Sequence, residues 1–255
     1  MLTGSEIAIA GLAALAAGFI NAIAGGGSLV SFPSLVFLGI PEVAANITNS
    51  VALCPGYLGG AIAQKKELVG QERRLWLLVP AGIVGGLIGA LLLICLSGNI
   101  FRILVPILIL LASGLLAVQG RVRKWIKDHS AADGAGILDR PGVFFPVSLS
   151  AIYGGYFAGG MSVIVLAVLG LFFDDSLTRL NALKQCISLS INVAAVSVFL
   201  FSGMVVWPLV LVMAIGSLAG GGLGGSVAER INPDLLRWVV VVIGIMVGIV
   251  LLMRL

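Results

Sequence analysis

The sequence predicts an all-α polytopic membrane protein made of two inverted repeats of about five hydrophobic segments each. The first pair in each repeat is broken or re-entrant at glycines. Three observations carry this. The chain is 60% hydrophobic and 10% charged, with a mean hydropathy of +1.17, whereas soluble domains carry about 25% charged residues. Apolar runs of membrane-spanning length recur along the chain. The second half also repeats the first at the 135-position offset that separates Asn46 from Asn181.

Ile7 to Ile23 reads as an apolar helix ending at Ala24-Gly25-Gly26-Gly27-Ser28. Three glycines should break a helix, since each costs about 1 kcal/mol relative to Ala in a helix interior. Leu29 to Ile40 follows, contains Pro33 and is too short to span comfortably. The two segments are expected to be half-helices meeting at a break, or a re-entrant hairpin, which is tolerated where the backbone is buried or lines a cavity. Ala22-Ile23-Ala24 resembles a leader cleavage box, but no Lys or Arg precedes it. A secretory leader starts positive, so this stretch reads as part of the mature protein.

Pro41-Glu42 makes a turn, and the next run, Val43 to Ala63, carries Asn46, Thr48, Asn49 and Ser50. A basic loop, 64–74, leads to a span from Trp76 to Leu96, with the Trp where a membrane interface expects one. Small residues at four-residue spacing, Gly82-Gly86-Ala90 and Gly85-Gly89, would let another backbone approach closely. Ile103 to Val118 is the next span, and Arg121 to Arg140 is the longest polar segment. The predicted units are therefore repeat 5–119, a cytoplasmic linker 120–141, and repeat 142–255.

The same offset pairs Asn49 with Lys184, Gly25 with Gly160, and Gly85, Gly86 and Gly89 with Gly220, Gly221 and Gly224. Loop 64–74 holds four basic residues, and its counterpart, 199–208, holds none. Because positive charge marks the cytoplasmic side, the halves should be oppositely oriented. That requires an odd number of crossings per half: five, or three with a re-entrant pair. Loops 64–74 and 121–140 would then be cytoplasmic and both ends of the chain outside. Inverted repeats with broken helices are a recurring build of secondary transporters, with the site at the repeat interface.

One stretch stands out chemically. Asn181, Lys184, Gln185, Ser188 and Asn192 share a wedge of roughly 100° on one helix. An ionisable group inside a span is costly and marks function by default; the structural alternative is a lysine snorkelling to the interface. Glycine breaks can also present N–H groups and a half-helix N-terminus to an anion. Candidate substrate-binding residues are Gly25, Gly26, Gly27, Ser28, Asn46, Asn49, Gly159, Gly160, Ser162, Asn181, Lys184, Gln185, Ser188 and Asn192. One cationic and one neutral polar side suit a small anion with hydrogen-bonding oxygens.

Other chemistries find little support. The three cysteines lie in apolar runs without metal-like spacing, and the one histidine is in a polar segment. No catalytic residue, metal site or cofactor is predicted. No P-loop points to ATP use, and no acidic residue lies clearly inside a span. The net charge of +4 reflects basic loops rather than a nucleic-acid surface. The expected partners are the lipid bilayer and a small anionic substrate, with a homodimer left open.

The run Ala17-Gly-Phe-Ile-Asn-Ala-Ile-Ala-Gly-Gly-Gly-Ser-Leu-Val-Ser-Phe-Pro33 resembles the N-terminal signature of the sulfite exporter TauE/SafE family. So do Tyr153-Gly-Gly-Tyr-Phe-Ala-Gly-Gly-Met161, Arg179-Leu-Asn-Ala-Leu-Lys184 and Phe199-Leu-Phe-Ser-Gly203. Met161 departs from the pattern, where family members often have a small residue. The resemblance covers nearly the whole chain. It implies transport, usually export, of sulfite, thiosulfate or organosulfonates such as sulfoacetate across a bacterial inner membrane. A passive anion channel and a non-transporting scaffold subunit are the alternatives the sequence leaves open.

Overall fold

The computed structural model describes residues 3–96, 98–130, 141–228 and 233–253, and among them all regular structure is helical. The helices are α1 (Gly4–Ile23), α2 (Ser28–Phe37), α3 (Glu42–Ala63), α4 (Glu72–Cys95) and α5 (Gly98–Ser130). After the undescribed 131–140 come α6 (Phe144–Tyr156), α7 (Met161–Phe172), α8 (Leu177–Phe199), α9 (Trp207–Val227) and α10 (Pro233–Leu252). Six of them, α1, α4, α5, α8, α9 and α10, are long and apolar enough to cross a membrane. α3 is long enough, but Asn46, Thr48, Asn49 and Ser50 lower its hydropathy, and all four are buried.

Local chemistry sets the helix ends. Thr3 caps α1, its Oγ1 accepting from Glu6 N at 3.3 Å while Glu6 Oε2 accepts from Thr3 N; this reciprocal box serves two N–H groups that the helix cannot. Gly25 and Gly26 then adopt φ of +82° and +84°, a region costly for any residue with a Cβ. The chain reverses there. A Cβ on Gly27 would strike the carbonyl of Ala17, so the start of α2 packs back on the middle of α1. Ser176 caps α8, accepting from Arg179 N at 3.3 Å.

α5 is longer than its apolar run. It continues past Val118 to Ser130, so the first half of the expected polar linker is helical. The reason lies in its composition: Arg121 to Ser130 contains neither Gly nor Pro. The rest of that linker, 131–140, lies outside the described residues.

The helices interlock through glycine seams. On α4, a Cβ at Gly85 would meet Ser148 O of α6 at 2.7 Å, and one at Gly86 would meet Ile191 O of α8 at 2.5 Å. α9 does the same at the matching positions, Gly220 against Leu15 of α1 and Gly221 against Gly56 of α3. Each is thus wedged between two helices of the other half, at distances only glycine permits. Packing is reciprocal elsewhere too: α2 lies on α10 as α7 lies on α5, and α5 and α10 lie on each other.

The end of α3 packs on the first part of α8. Gln185 sits where a Cβ on Gly60 would be, and Asn181 donates to Gln64 Oε1 at 3.1 Å. Later residues of α3 therefore meet earlier residues of α8, and the two run antiparallel.

Candidate functional site at the end of the first broken helix

The last turn of any helix leaves carbonyls that no helical N–H can reach. At the end of α1 those carbonyls are taken by side chains from α8 and α3. Lys184 is fully buried. Its Nζ donates to Asn21 O at 2.9 Å and to Asn181 Oδ1 at 2.6 Å. Asn181 Nδ2 donates in turn to Ala22 O at 2.7 Å, and Gln64 Nε2 donates to the same carbonyl at 3.1 Å. The ammonium thus sits against the negative end of the α1 dipole.

Asn21 ties this arrangement to the glycine breaks. Its Oδ1 accepts from Gly27 N at 2.7 Å, closing the α1–α2 turn. Its Nδ2 approaches Tyr57 Oη at 3.5 Å, and Ser162 Oγ approaches the same hydroxyl at 3.4 Å from the other half. Gly25 completes the junction: a Cβ there would meet Ser162 Cβ at 3.2 Å. The first break therefore touches the start of α7, directly after the second.

The electrostatics are unusual. The ion pairs Arg74–Asp175, Arg179–Asp175 and Arg102–Glu42 do not involve Lys184. Every oxygen bonded to its ammonium is neutral. Gln185 and Ser188, on the same face of α8, are fully buried, and their side-chain polar atoms have no partner. Asn192 Oδ1 is in the same state. Buried polar groups without partners are costly and uncommon. No cluster among the described residues could hold a metal ion.

A profile of the family described as sulfite exporter TauE/SafE matches residues 10–251. The chain belongs to the sulfite exporter TauE/SafE family. It is a multi-pass membrane transporter, and its relatives are bacterial proteins, which places it in the inner membrane. A "Probable membrane transporter protein" of Haemophilus influenzae is 28% identical over 237 residues, covering 90% of this chain and 88% of that protein. "Probable membrane transporter protein ORF9" of a Sinorhizobium species is 28% identical over 251 residues, covering 94% and 90%. "Probable membrane transporter protein YfcA" of Escherichia coli K12 is 25% identical over 239 residues, covering 90% and 83%. No solved structure matches the chain significantly.

In this TauE/SafE family member the sequence-predicted residues separate into groups. Gly25, Gly27, Ser162, Asn181 and Lys184 come together at the α1 break, with Ser28 buried beside them. Gly26 faces elsewhere: a Cβ on it would meet Leu116 of α5 and Val240 of α10, each at 3.3 Å. Gly160 faces Ala112, and Gly159 supplies a carbonyl to Tyr153 Oη at 2.7 Å. The glycine N–H groups expected to face a ligand are partly committed, since Gly25 N donates to Ile20 O at 3.0 Å and Gly27 N to Asn21.

Asn46 and Asn49 lie elsewhere in the family member's structure. Asn46 Nδ2 donates to Tyr156 O, the last carbonyl of α6, at 3.1 Å. Asn49 is buried with neither side-chain atom partnered. The antiparallel register puts Asn49 roughly 18 Å along α3 from the level of Lys184, at about 1.5 Å per residue. That is beyond the reach of the lysine side chain, so the two do not share one contact shell.

Three members of the α1 cluster escaped the sequence reading. Gln64 looks like a loop residue but is buried beside Asn181. It continues the helical spacing Asn49, Tyr57, Gly60, and that spacing is the signal that places it on the polar face of α3. Tyr57 carries the same signal. Asn21 sits inside the family signature, but it meets Lys184 through its backbone carbonyl, which no side-chain pattern reveals.

Proposed function

We propose that this transporter carries a small sulfur oxyanion or sulfonate, and that the anion binds at the end of α1 against Lys184. The observation that carries the reading is a fully buried Lys184 side chain held only by neutral oxygens, so that its charged form has no counter-charge in the protein. Such a charge costs several kcal/mol to keep in an apolar interior, and an anion offsets that cost. An ammonium has three N–H donors, and two of Lys184's are engaged with Asn21 and Asn181, so one remains for substrate. Gln185 and Ser188 supply neutral donors on the same face, and Ser162 lies across the glycine junction.

The transport mechanism we infer is alternating access between two inverted repeats. The antiparallel crossing of α3 and α8, counterparts in the two halves, supports it. So does the reciprocal docking of α4 and α9. Inverted-repeat carriers rock one half against the other around a central site. The family name supports sulfite as one substrate, and thiosulfate and sulfoacetate share its chemistry.

Counterflow in proteoliposomes tests this reading. Vesicles preloaded with unlabelled sulfite, thiosulfate or sulfoacetate should accumulate the labelled anion transiently, and taurine, which carries no net charge, should compete poorly. Counterflow absent for all three anions would overturn the assignment.

A further inference from the structure

We propose that Lys184 is also the coupling site: it takes up a proton when the anion binds and gives it up when the anion leaves, so that anion and proton travel together. This rests on the anion reading above and extends it to the coupling ion.

The geometry is that of a charge with no permanent partner. Lys184 is fully buried, and both oxygens bonded to Nζ, Asn21 O and Asn181 Oδ1, are neutral. The groups facing it from neighbouring elements cannot supply a counter-charge. α1 presents only backbone and the amide Asn21. α3 presents Tyr57, whose hydroxyl lies against Asn21 and Ser162, and Cys54. α6 carries Tyr153, whose hydroxyl donates to Gly159 O, and Tyr156, which lies with Asn46 and Phe101 away from Lys184. On α8 itself the nearest titratable side chain is Cys186. α4, which packs on α8, carries its acid and bases in its first turn, with Glu72 exposed and accepting from Gly70 N and Arg74 on Asp175. α7 has no titratable side chain. The turn 65–68 packs on the start of α8 and carries exposed Lys65 and Lys66 with Glu67 half-buried. Asp175, a partly buried carboxylate in the loop before α8, is held between Arg74 at 2.7 Å and Arg179 at 3.1 Å.

The loaded and the empty state differ in charge. With anion and proton aboard, the ammonium faces a negative charge and the pair crosses together. With the anion gone, a charged Lys184 would be stranded in an apolar interior, and a buried group in that position neutralises instead. The neutral amine keeps its bonds to Asn21 O and Asn181 Oδ1, because it still has two N–H donors. The cycle balances: one proton from the loading side converts the amine to ammonium, and the same proton leaves to the unloading side with the anion. A monoanion then crosses without net charge, and a dianion carries one negative charge. Direction follows the combined anion and proton gradients.

The test follows protons and anion in the same vesicles. Proteoliposomes of the full chain are clamped at zero membrane potential and loaded with a pH-sensitive dye. Labelled thiosulfate, whose charge is fixed across the neutral range, serves as the probe. The expected result is one proton entering per thiosulfate, with net uptake driven uphill by an inward proton gradient. Whatever flux survives in Lys184→Gln or Lys184→Arg should carry no protons, since Gln has no titrating group and Arg does not deprotonate in proteins. Net thiosulfate uptake without proton movement in the wild type would overturn the coupling and leave the anion site standing. Proton movement persisting in Lys184→Arg would also overturn it. Absence of exchange altogether, with sulfite and sulfoacetate as well, would overturn both readings.

Discussion

Asn46 and Asn181 perform the same task on different broken helices. Asn181 Nδ2 donates to Ala22 O at the end of α1, and Asn46 Nδ2 donates to Tyr156 O at the end of α6. The residue one turn further along differs: Lys184 after Asn181, Asn49 after Asn46. Lys184 donates to the end of α1, whereas the side chain of Asn49 has no hydrogen-bond partner, so only the first broken helix ends against a lysine. The surroundings follow suit, since the second break is packed by Phe157 edge-on to Phe32 and Phe101, at 5.4 Å and 6.2 Å between ring centroids.

Lys184 caps α1 and, in our reading, binds the anion. Losing a charge-assisted hydrogen bond costs about 1.5–3 kcal/mol, so Lys184→Gln should weaken substrate binding roughly ten- to a hundredfold. Lys184→Arg should be partly tolerated, because a planar guanidinium fits a compact ammonium site poorly. Affinity and thermal stability are measured together in the same detergent. A lysine that only capped the helix would lower stability and leave affinity unchanged in whatever protein remained folded.

Gly26→Leu should destabilise the protein, and any loss of transport should follow from that. Its missing Cβ already lies 3.3 Å from both Leu116 and Val240, at φ +84°. Overpacking of this kind costs about 1–3 kcal/mol, on top of backbone strain. Fluorescence-detected size exclusion on heating should show a lower transition for the variant. A normal transition with abolished transport would instead put Gly26 in the substrate path.

The glycine seams predict a matched pair of failures. Gly86→Val should push α4 off Ile191 of α8, and Gly221→Val should push α9 off Gly56 of α3. Each should cost at least about 1–3 kcal/mol. Gly222, which has nothing within 4 Å of its Cβ position, is the control. Gly222→Ala should leave the unfolding temperature within error of wild type.

Asp175 joins the loop before α8 to the start of α4. Burial alone would push its carboxyl up, but hydrogen bonds from Arg74, Ser176 N and Arg179 outweigh that and hold it below the usual aspartate range. A depressed carboxylate stabilises the fold above its unfolded pKa of about 3.9, and the contribution is lost as pH falls through the folded value. Asp175→Asn should therefore cost about 1 kcal/mol at neutral pH, the upper range for partly exposed pairs. The gap between variant and wild type should close in acid. A gap that is constant with pH would assign the loss to packing.

Topology follows from the charge asymmetry. Reporter fusions at Lys127 and after Leu252 should report opposite sides, the first cytoplasmic and the second outside. Both fusions reporting one side would remove the case for oppositely oriented halves.

The sequence by itself determined the membrane class, because hydropathy over spanning lengths is a property of composition. It also determined where helices break, since Gly25 to Gly27 cannot continue α1 whatever surrounds them. It placed Asn181, Lys184, Gln185 and Ser188 on one face, because helical period fixes direction around an axis. Only the tertiary structure decided depth and register. The glycine seams of α4 and α9 limit how far each helix slides against its neighbours, and that sets the register in which antiparallel α3 and α8 meet. Asn49 and Lys184 occupy equivalent positions in the two halves and yet lie at different depths for this reason. Gln64 enters the polar cluster and Asn21 meets the lysine through a backbone carbonyl for the same reason. Periodicity constrains a side chain's angle on its own helix, and packing between helices sets which partner it meets.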